Sequence, residues 1–297
     1  REAATMAVAV QEKTLQITKI KEHIGAVATG VDLTQPIDEA TRQQLYDAAV
    51  DHVALVIREQ QLTAKQYEQA ASLFGELMED QNRMYLADGV PLVSVLSNRN
   101  KDTKGKPAKM ANNATWHTDH TNQERPPKFP CLYPVALPDS GGGTSVCNMR
   151  AAYESLPAEM RARLAPMKTE NTLISSARMA AANPDIVKAQ KAKNAAGEKP
   201  MIQPLIRTHP DRGSKAIWFH QSKTERVIGM EPQETQDFLT ELLETVIKPE
   251  FAYTHDYQLG DMLVIDNRSA MHKAGFDFDM SQHRVIYRAL VRGERPE

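Results

Sequence analysis

The sequence predicts an α+β fold built on a β-barrel or jelly roll. Many short segments have the composition of strands, whereas only three or four carry apolar residues at helical spacing. Strands and helices do not alternate regularly, as they would in a parallel α/β protein, and no internal repeat is present. These three observations together favour the barrel or jelly roll.

The composition is that of a globular protein. Of the 297 residues, 41% are hydrophobic and 25% are charged, and 36 Lys and Arg are matched by 38 Asp and Glu. This balance gives no basis for binding nucleic acid or an acidic membrane surface through net charge. No apolar run approaches the roughly 20 residues of a membrane-spanning helix. We therefore expect a cytoplasmic protein with neither nucleic acid nor membrane as a partner.

Residues 11–297 are predicted to form a single domain. Residues 1–10 contain a short Ala and Val stretch that is too weak for a secretory signal, and we expect them to be disordered or appended. The two cysteines, Cys131 and Cys147, are predicted to be free thiols, because nothing else in the sequence indicates export.

Strands and two helices are predicted in the first part of the chain. Residues 24–33 combine alternating hydrophobicity with glycines, which indicates short strands and a turn. Apolar residues at helical spacing predict a helix over 38–53, and residues 53–57 are typical of a buried strand. Thr63 and Gln66 have the spacing of a capping box, so a second helix is predicted to begin there.

Two polar segments are predicted to be lids or inserts. Residues 78–114 contain one strand candidate, 92–96, followed by a charged run that is typical of a solvated loop or of a mobile lid. Residues 177–199 are rich in Ala, Lys and Asn and contain Pro184. A helical insertion and a flexible excursion both fit this composition.

The second half of the chain contributes further strands and two helices. Helices are predicted over 149–167 and from Pro232 onward. Strands are predicted at 132–137, 204–210, 215–219, 262–265 and 284–291. Three glycines at 141–143 indicate a tight turn or a close approach to the backbone. No Lys-Ser/Thr pair follows them, so a phosphate-binding loop is not predicted.

The central candidate site is the pair His117 and Asp119. The two residues are two apart, so in an extended backbone both side chains leave one face and can converge on one atom. An imidazole and a carboxylate are two of the three ligands in the site that holds non-haem Fe(II) and leaves three positions open. A His-x-Asp triplet is common by chance, so an ordinary loop is the alternative.

Two arginines in the last predicted strand form a second candidate site. Arg284 and Arg288 share one face, roughly 13 Å apart along the strand, and apolar residues between them face the other way. On an exposed face such arginines are ordinary. If the face lines a barrel, each arginine requires an anion, because a guanidinium keeps its charge. The carboxylates of a cosubstrate and a substrate would serve.

The order of these motifs resembles the Fe(II)- and 2-oxoglutarate-dependent dioxygenases of the taurine and 2,4-dichlorophenoxyacetate type. The resemblance extends from residue 24 to residue 292. Five motifs carry it: residues 116–119, residues 141–144 followed by 149–153, residues 207–210, residues 266–268 leading to His272, and residues 284–288. The resemblance implies a double-stranded β-helix, which is a cupin-like jelly roll, with flanking helices.

The resemblance also implies a metal site. In matching positions, His117, Asp119 and His272 would bind Fe(II), and Asn113 would lie near the iron and the cosubstrate. Three protein ligands leave room for 2-oxoglutarate and for O2.

Further positions in the resemblance imply anion binding. Thr144 and Arg284 would hold the distal carboxylate of 2-oxoglutarate, and Arg288 would bind the anionic group of the substrate. Two departures accompany these matches. Gly143 stands where the family usually has Asp, and the spacing from His272 to Arg284 is one residue longer than in close relatives. His283 is therefore a rival for the place of Arg284.

The substrate pocket is predicted from polar residues near these motifs. The candidates are Tyr85, His120, His220, Gln221 and Lys223, and for each of them a solvated side chain is the alternative. If the strand through Asp119 continued, His120 would point away from the metal and Thr121 toward it. A polar pocket would suit a more polar or doubly anionic substrate than a chlorinated phenoxy acid.

The implied reaction is hydroxylation of an aliphatic carbon in a small anionic substrate, an aryloxyalkanoate or another carboxylate or sulfonate, with release of succinate and CO2. Where the carbon adjoins an ether or a sulfonate, the product would fall apart and the net result would be cleavage. The alternative is a non-oxygenase cupin-type barrel, a Zn(II) or Mn(II) isomerase or hydrolase, which would not need Thr144 and Arg284. By analogy with the family, we also expect a homo-oligomer.

Overall fold

The computed structural model describes residues 14–81, 83–107 and 115–297. The predictions for residues 1–10 and for Asn113 lie outside these ranges. Within them the chain is rich in strands, with helices on both outer sides, which agrees with the predicted α+β class. The helices are α1 (Glu39–His52), α2 (Ala64–Ser72), α3 (Met149–Glu154), α4 (Ala158–Leu164), α5 (Pro184–Ala195) and α6 (Pro232–Val246), with a 3-10 helix at Ser176–Ala181.

The strands fall into one large sheet and several short ones. In chain order they are β1 (Gln16–Lys19), β2 (Ala26–Thr29), β3 (Ala54–Ile57), β4 (Leu77–Met78), β5 (Leu86–Ala87), β6 (Val90–Ser97), β7 (Phe129–Ala136), β8 (Thr144–Asn148), β9 (Lys168–Asn171), β10 (Met201–Pro204), β11 (Ile206–Thr208), β12 (Lys215–Ile217), β13 (Thr224–Val227), β14 (Ala252–His255), β15 (Met262–Ile265), β16 (Ala270–Ala274) and β17 (Val285–Val291).

The large sheet has the order β1-β2-β3-β15-β7-β17-β6-β5, with β4 also paired to β17. Strands β2 and β3 pair in parallel, because α1 carries the chain back between them. A second sheet has the order β14-β8-β16, and β8 pairs with both neighbours in antiparallel register. The second sheet and its surroundings carry the candidate site.

Alternation along the strands produces the layers of the fold. On β3, Leu55 and Ile57 pack with α1 and α2, whereas Val56 belongs to the cluster between the two sheets. On β8, Val146 joins that inner cluster, and Cys147 packs with the cluster formed by α3 and α6. The two sheets therefore lie face to face, with α1 and α2 on one outer side and α3 and α6 on the other.

Most of the predicted elements are confirmed within a few residues. The helix predicted over 38–53 is Glu39–His52, and both hydrogen bonds of the Thr63 capping box are present. The predicted strand and hairpin segments are also present, and residues 184–195 are helical, which settles the choice left open for that insert. The lid role of both inserts stays a prediction.

One predicted helix is wrong in extent. Residues 149–167 form two short helices, α3 and α4, instead of one. The break lies at Pro157, which precedes α4 with φ −53° and ψ 145°, because proline lacks the N–H that a continuous helix would use. The apolar spacing continues across the break, so it could not show where the helix ends.

Both cysteines are buried free thiols, as predicted. Burial raises the pKa of the Cys147 thiol to about 12, so it is protonated at neutral pH. In the part of the chain that the structure describes, no helix is long and apolar enough to cross a membrane.

Tyr67 of α2 forms hydrogen bonds with two central strands of the large sheet. Its hydroxyl donates to the Cys131 carbonyl on β7 at 2.5 Å and accepts from the Ala289 N–H on β17 at 3.0 Å.

We expect Tyr67→Phe to lower the free energy of unfolding by about 1–3 kcal/mol, because both buried backbone groups lose their partner. Urea unfolding measures this change. Tyr153→Phe, whose hydroxyl lies 3.4 Å from the Arg161 carbonyl, should cost much less, and equal losses would contradict the argument.

Candidate metal centre

Three buried side chains converge at one point between the sheets. His117 exchanges two backbone hydrogen bonds with His272 of β16, at 3.0 and 2.9 Å, so the segment at His117 extends the second sheet. Asp119 lies beside both imidazoles: its carboxylate oxygens are 3.7 Å from His117 Nε2 and 3.8 Å from His272 Nε2. One donor atom from each of the three residues lies within 4.8 Å of the others. The structure thus brings the two parts of the predicted triad together.

The protonation states suit a divalent metal ion. Burial, with His117 nearby, lowers the pKa of His272 to about 3, and burial also lowers the pKa of His117, so both imidazoles are neutral at pH 7. His117 Nδ1 lies 2.7 Å from the Thr115 carbonyl, which leaves the Nε2 lone pair free. Burial opposes the charge of Asp119, but the neighbouring His272, Arg288 and His117 side chains outweigh that effect and hold its pKa well below the ordinary value.

The buried Asp119 Oδ2 has no hydrogen-bond partner among the described residues. An ionised oxygen without a partner is costly in a buried site. Two neutral imidazoles and one carboxylate form the donor set that non-haem Fe(II) uses, so the residues present fit that ion.

Asn267 holds the backbone of Asp119 in place. Its side-chain oxygen accepts from the Asp119 N–H at 2.8 Å, and its amide nitrogen donates to the Asp119 carbonyl at 3.2 Å and to the Pro127 carbonyl at 2.8 Å. The side chain therefore takes the place of a neighbouring strand. Asn267 is fully buried, and sequence reasoning did not assign it to the site.

The chain turns away immediately after Asp119. His120 has φ 55°, a left-handed conformation that ends the extended segment. The strand therefore does not continue, and the alternation expected for His120 and Thr121 does not apply. His120 is buried with Nε2 3.5 Å from an Asp80 carboxylate oxygen, and the buried Thr121 hydroxyl has no hydrogen-bond partner in the described chain.

A cavity between the two sheets adjoins the triad. It is lined by Leu96, His117, Leu132, Thr144, His272, Ala274, Arg284, Ile286 and Arg288. Residues of the second sheet supply one wall, and β6, β7 and β17 supply the other. Arg284 and Arg288 therefore lie on one face of the last strand segment, as their spacing predicts.

Arg284 and Thr144 lie on opposite walls of this cavity. Arg284 Nε donates to the Gly142 carbonyl at 2.7 Å, and no ion pair of the described residues involves this buried guanidinium. The Thr144 hydroxyl lies 2.9 Å from the hydroxyl of Tyr257, a buried residue that sequence reasoning missed. Burial raises the pKa of Tyr257 to about 12, so it stays neutral and can donate a hydrogen bond.

Gly142 makes room for Arg284. A Cβ on Gly142 would lie 3.0 Å from Arg284 Cδ, and the glycine has φ 70°. The close approach predicted for the glycine run therefore serves the arginine side chain. His283, the rival for this place, lies instead with Nε2 3.1 Å from the Ser97 hydroxyl.

Arg288 has a protein partner that the sequence did not reveal. Its Nε lies 3.1 Å from Asp80 Oδ2, and its Nη2 lies 2.5 Å from the same oxygen. The Ser94 hydroxyl also donates to that oxygen at 2.9 Å. The remaining nitrogen, Nη1, lies 3.8 Å from Asp119 Oδ1 and so faces the triad. The sequence analysis expected a ligand to supply the anion for Arg288. In the structure, the Asp80 carboxylate already supplies one.

The other pocket candidates have different surroundings. The His220 ring lies 4.7 Å from the His117 ring, and burial holds the pKa of His220 well below its usual value. The Gln221 amide donates to Thr240 of α6 at 2.8 Å. Lys223 is half-buried, and its Nζ lies 3.1 Å from the Gln81 side-chain oxygen. Tyr85 donates its hydroxyl to the Lys101 carbonyl and is not among the described residues that line the cavity.

Comparison with known proteins agrees with this geometry. A family model described as Taurine catabolism dioxygenase TauD, TfdA family matches residues 16–290. An alkylsulfatase of Acinetobacter baylyi is 30% identical over 284 residues, which cover 94% of this chain and 86% of that protein. The (S)-phenoxypropionate/alpha-ketoglutarate-dioxygenase of Sphingobium herbicidovorans is 27% identical over 279 residues, which cover 94% of this chain and 95% of that protein.

A solved structure is also similar over nearly the whole chain. It is AAD-2 in complex with Mn(II) and N-oxalylglycine, with a TM-score of 0.77 and 27% identity. The similarity covers 95% of this chain and 99% of that chain.

The contacts of Asn267 lead to a test by metal binding. We expect Asn267→Ala to weaken Mn(II) and Fe(II) binding by about 10- to 100-fold, because the backbone of Asp119 loses both of its amide partners. Anaerobic calorimetric titration measures the dissociation constants. The control is Asn171→Ala, which removes another buried asparagine whose amide bonds to Thr169 and Met201. If both variants weaken metal binding equally, Asn267 has no special role.

Proposed function

The chain belongs to the taurine catabolism dioxygenase TauD, TfdA family and is an Fe(II)- and 2-oxoglutarate-dependent dioxygenase, and from this premise we propose that it hydroxylates an aliphatic carbon of a small anionic substrate. The observation that carries the proposal is the cavity itself: both imidazoles of the triad line it together with Arg284 and Arg288, and Asp119 lies beside both imidazoles. A Zn(II) or Mn(II) isomerase or hydrolase, the alternative from another class, is set aside by the family membership.

We infer that the two facing sheets are the two layers of a double-stranded β-helix. The inner apolar cluster draws residues from both sheets, and the cavity lies between them. Such a jelly roll places ligands inside the barrel, where inward side chains alternate with outward ones.

We propose that His117, Asp119 and His272 hold the Fe(II). When bound, the iron and 2-oxoglutarate supply the activation of O2, and succinate and CO2 are the products of the cosubstrate. The protein positions the reactants: the His117–His272 backbone pairing and the Asn267 amide fix all three ligands. Burial of the triad also keeps bulk water away from it.

We propose that Arg284 and Thr144 bind the distal carboxylate of 2-oxoglutarate. Arg284 is buried and keeps its charge, and among the described residues it forms no ion pair with a carboxylate, so an anion from outside would stabilise it. The Thr144 hydroxyl can add a hydrogen bond, and its contact with Tyr257 orients it. Both side chains line the cavity together with His117 and His272.

We propose that the substrate lies on the side of Arg288, with Lys223 and His220 nearby. Two relatives are named for alkyl sulfates and for phenoxypropionate, and both names describe an anionic compound in which an oxygen atom is bonded to an aliphatic carbon. Hydroxylation of the carbon next to that oxygen gives a product that falls apart, so the net reaction would be cleavage. The reaction class needs no acid or base from the chain, only a fixed position for the carbon.

The 2-oxoglutarate assignment is tested by anaerobic titration of the apoprotein. We expect the weak visible band of the Fe(II) and 2-oxoglutarate complex to appear only after both additions. Arg284→Ala should need about 10- to 100-fold more 2-oxoglutarate, because a charge-assisted hydrogen bond of about 1.5–3 kcal/mol is lost. Arg163→Ala, which removes an exposed arginine of α4, is the control. An unchanged requirement in Arg284→Ala would remove this residue from the cosubstrate site.

The substrate assignment is tested by succinate release. We expect hexyl sulfate or 2-phenoxypropionate to raise succinate formation at least about tenfold above the rate without substrate, because a bound substrate couples cosubstrate turnover to hydroxylation. Neutral 1-hexanol and hexyl ethyl ether, which lack the anionic group, should not. Equal stimulation by the neutral compounds would show that the anion is not recognised.

A further inference from the structure

A carboxylate beside the cavity opposes the charge of Arg288. Asp80 is buried and lies against two nitrogens of the guanidinium, at 3.1 and 2.5 Å. The Ser94 hydroxyl fixes the same oxygen, so Asp80 cannot turn away without losing several hydrogen bonds. The positive charge of Arg288 and the negative charge of Asp80 therefore cancel before any substrate is present.

Among the described residues, Lys223 is a second cation near this ion pair. Its Nζ has only neutral oxygen partners in the described chain, the Gln81 side chain at 3.1 Å and the Leu173 carbonyl at 3.5 Å. A half-buried ammonium without a carboxylate partner is poorly compensated. Burial lowers the pKa of Lys223 to about 8, and the nearby carboxylates of Asp119 and Asp80 oppose that shift, so the side chain is mostly charged at neutral pH.

The cosubstrate side of the cavity adds no further charge to this count. There, Fe(II) and Arg284 balance Asp119 and the two carboxylates of 2-oxoglutarate.

We propose that Asp80 and Lys223 make the pocket selective for a substrate with one negative charge, and that Lys223, not Arg288, supplies the uncompensated positive charge that this anion meets. The inference rests on the proposed function, since it concerns the same substrate site. Arg288 then orients the bound substrate and adds no net charge, because Asp80 holds two of its nitrogens and leaves Nη1 facing the triad. A doubly anionic substrate is disfavoured, since its second charge would remain buried without a partner.

The probes are hexyl sulfate and hexyl phosphate, which have similar shapes but differ in charge. At pH 7.5 the sulfate carries one negative charge and the phosphate nearly two, because its second pKa is about 6. Binding is measured by calorimetry on the protein loaded with Mn(II) and N-oxalylglycine, so that no turnover occurs. We expect the wild type to bind the sulfate at least about tenfold more tightly than the phosphate.

Charge-altering variants separate the two roles. Asp80→Asn frees the charge of Arg288 and should lower the preference for sulfate at least about tenfold, toward phosphate. Lys223→Met should weaken sulfate binding by at least about tenfold, and Lys223→Arg should retain most of it. The double variant Asp80→Asn/Lys223→Met again has one uncompensated cation, so it should bind sulfate more tightly than Lys223→Met alone. A purely structural role for either residue would not produce this recovery.

Asp88→Asn and Lys191→Met, which alter exposed residues, serve as matched controls and should leave both affinities unchanged. Thermal unfolding and N-oxalylglycine affinity establish that each variant is folded. Should Asp80→Asn not fold, the wild-type preference and the Lys223 variants still decide the question.

Four results would overturn the inference: equal or tighter binding of phosphate by the wild type, no binding of either anion, full sulfate affinity in Lys223→Met, or no recovery in the double variant. A wild type that binds hexyl sulfate selectively but releases no succinate with any anion would count against the proposed reaction on these substrates, and it would leave the charge selectivity intact.

Discussion

The site depends on backbone hydrogen bonds that join parts of the chain far apart in sequence. His117 pairs with His272 as one strand pairs with another, and the Asn267 side chain supplies the pairing that Asp119 would otherwise lack. Because these bonds involve buried peptide groups, breaking them costs far more than moving a surface loop. The second sheet and Asn267 therefore hold the backbone of the three ligands, which is the rigid support that a preorganised site needs.

Charge compensation then divides the cavity into two parts. Arg284 and Arg288 leave the same strand face, yet their surroundings differ: Arg284 Nε donates to the Gly142 carbonyl, whereas Arg288 is paired with Asp80. In our proposal, Arg284 binds the dianionic cosubstrate and Arg288 orients the substrate. One strand thus supplies two arginines with different surroundings, and the difference comes from residues elsewhere in the chain.

Local patterns in the sequence predicted the features that depend on local geometry. The spacing of His117 and Asp119, and the shared face of Arg284 and Arg288, follow from the two-residue period of a strand, and the capping box at Thr63 follows from the first turn of a helix. The roles of Asp80, Asn267 and Tyr257 could not be predicted in this way, since each depends on a contact between distant segments. The left-handed turn at His120 was missed because a residue other than glycine adopts that conformation only uncommonly.

The residues proposed for the reaction and those proposed for substrate selectivity lie in different parts of the fold. Arg284, Thr144 and His272 lie on or beside strands of the two packed sheets, where a change of position would disturb the core. Asp80 and Lys223 lie on connecting segments outside the strands, where sequences vary more readily than in the packed sheets. A family that keeps one oxygenase reaction can therefore vary its substrates by exchanging residues such as these two. In this chain the substrate's charge would be set by a carboxylate and an ammonium that never touch the metal, which is why the triad alone does not reveal the substrate.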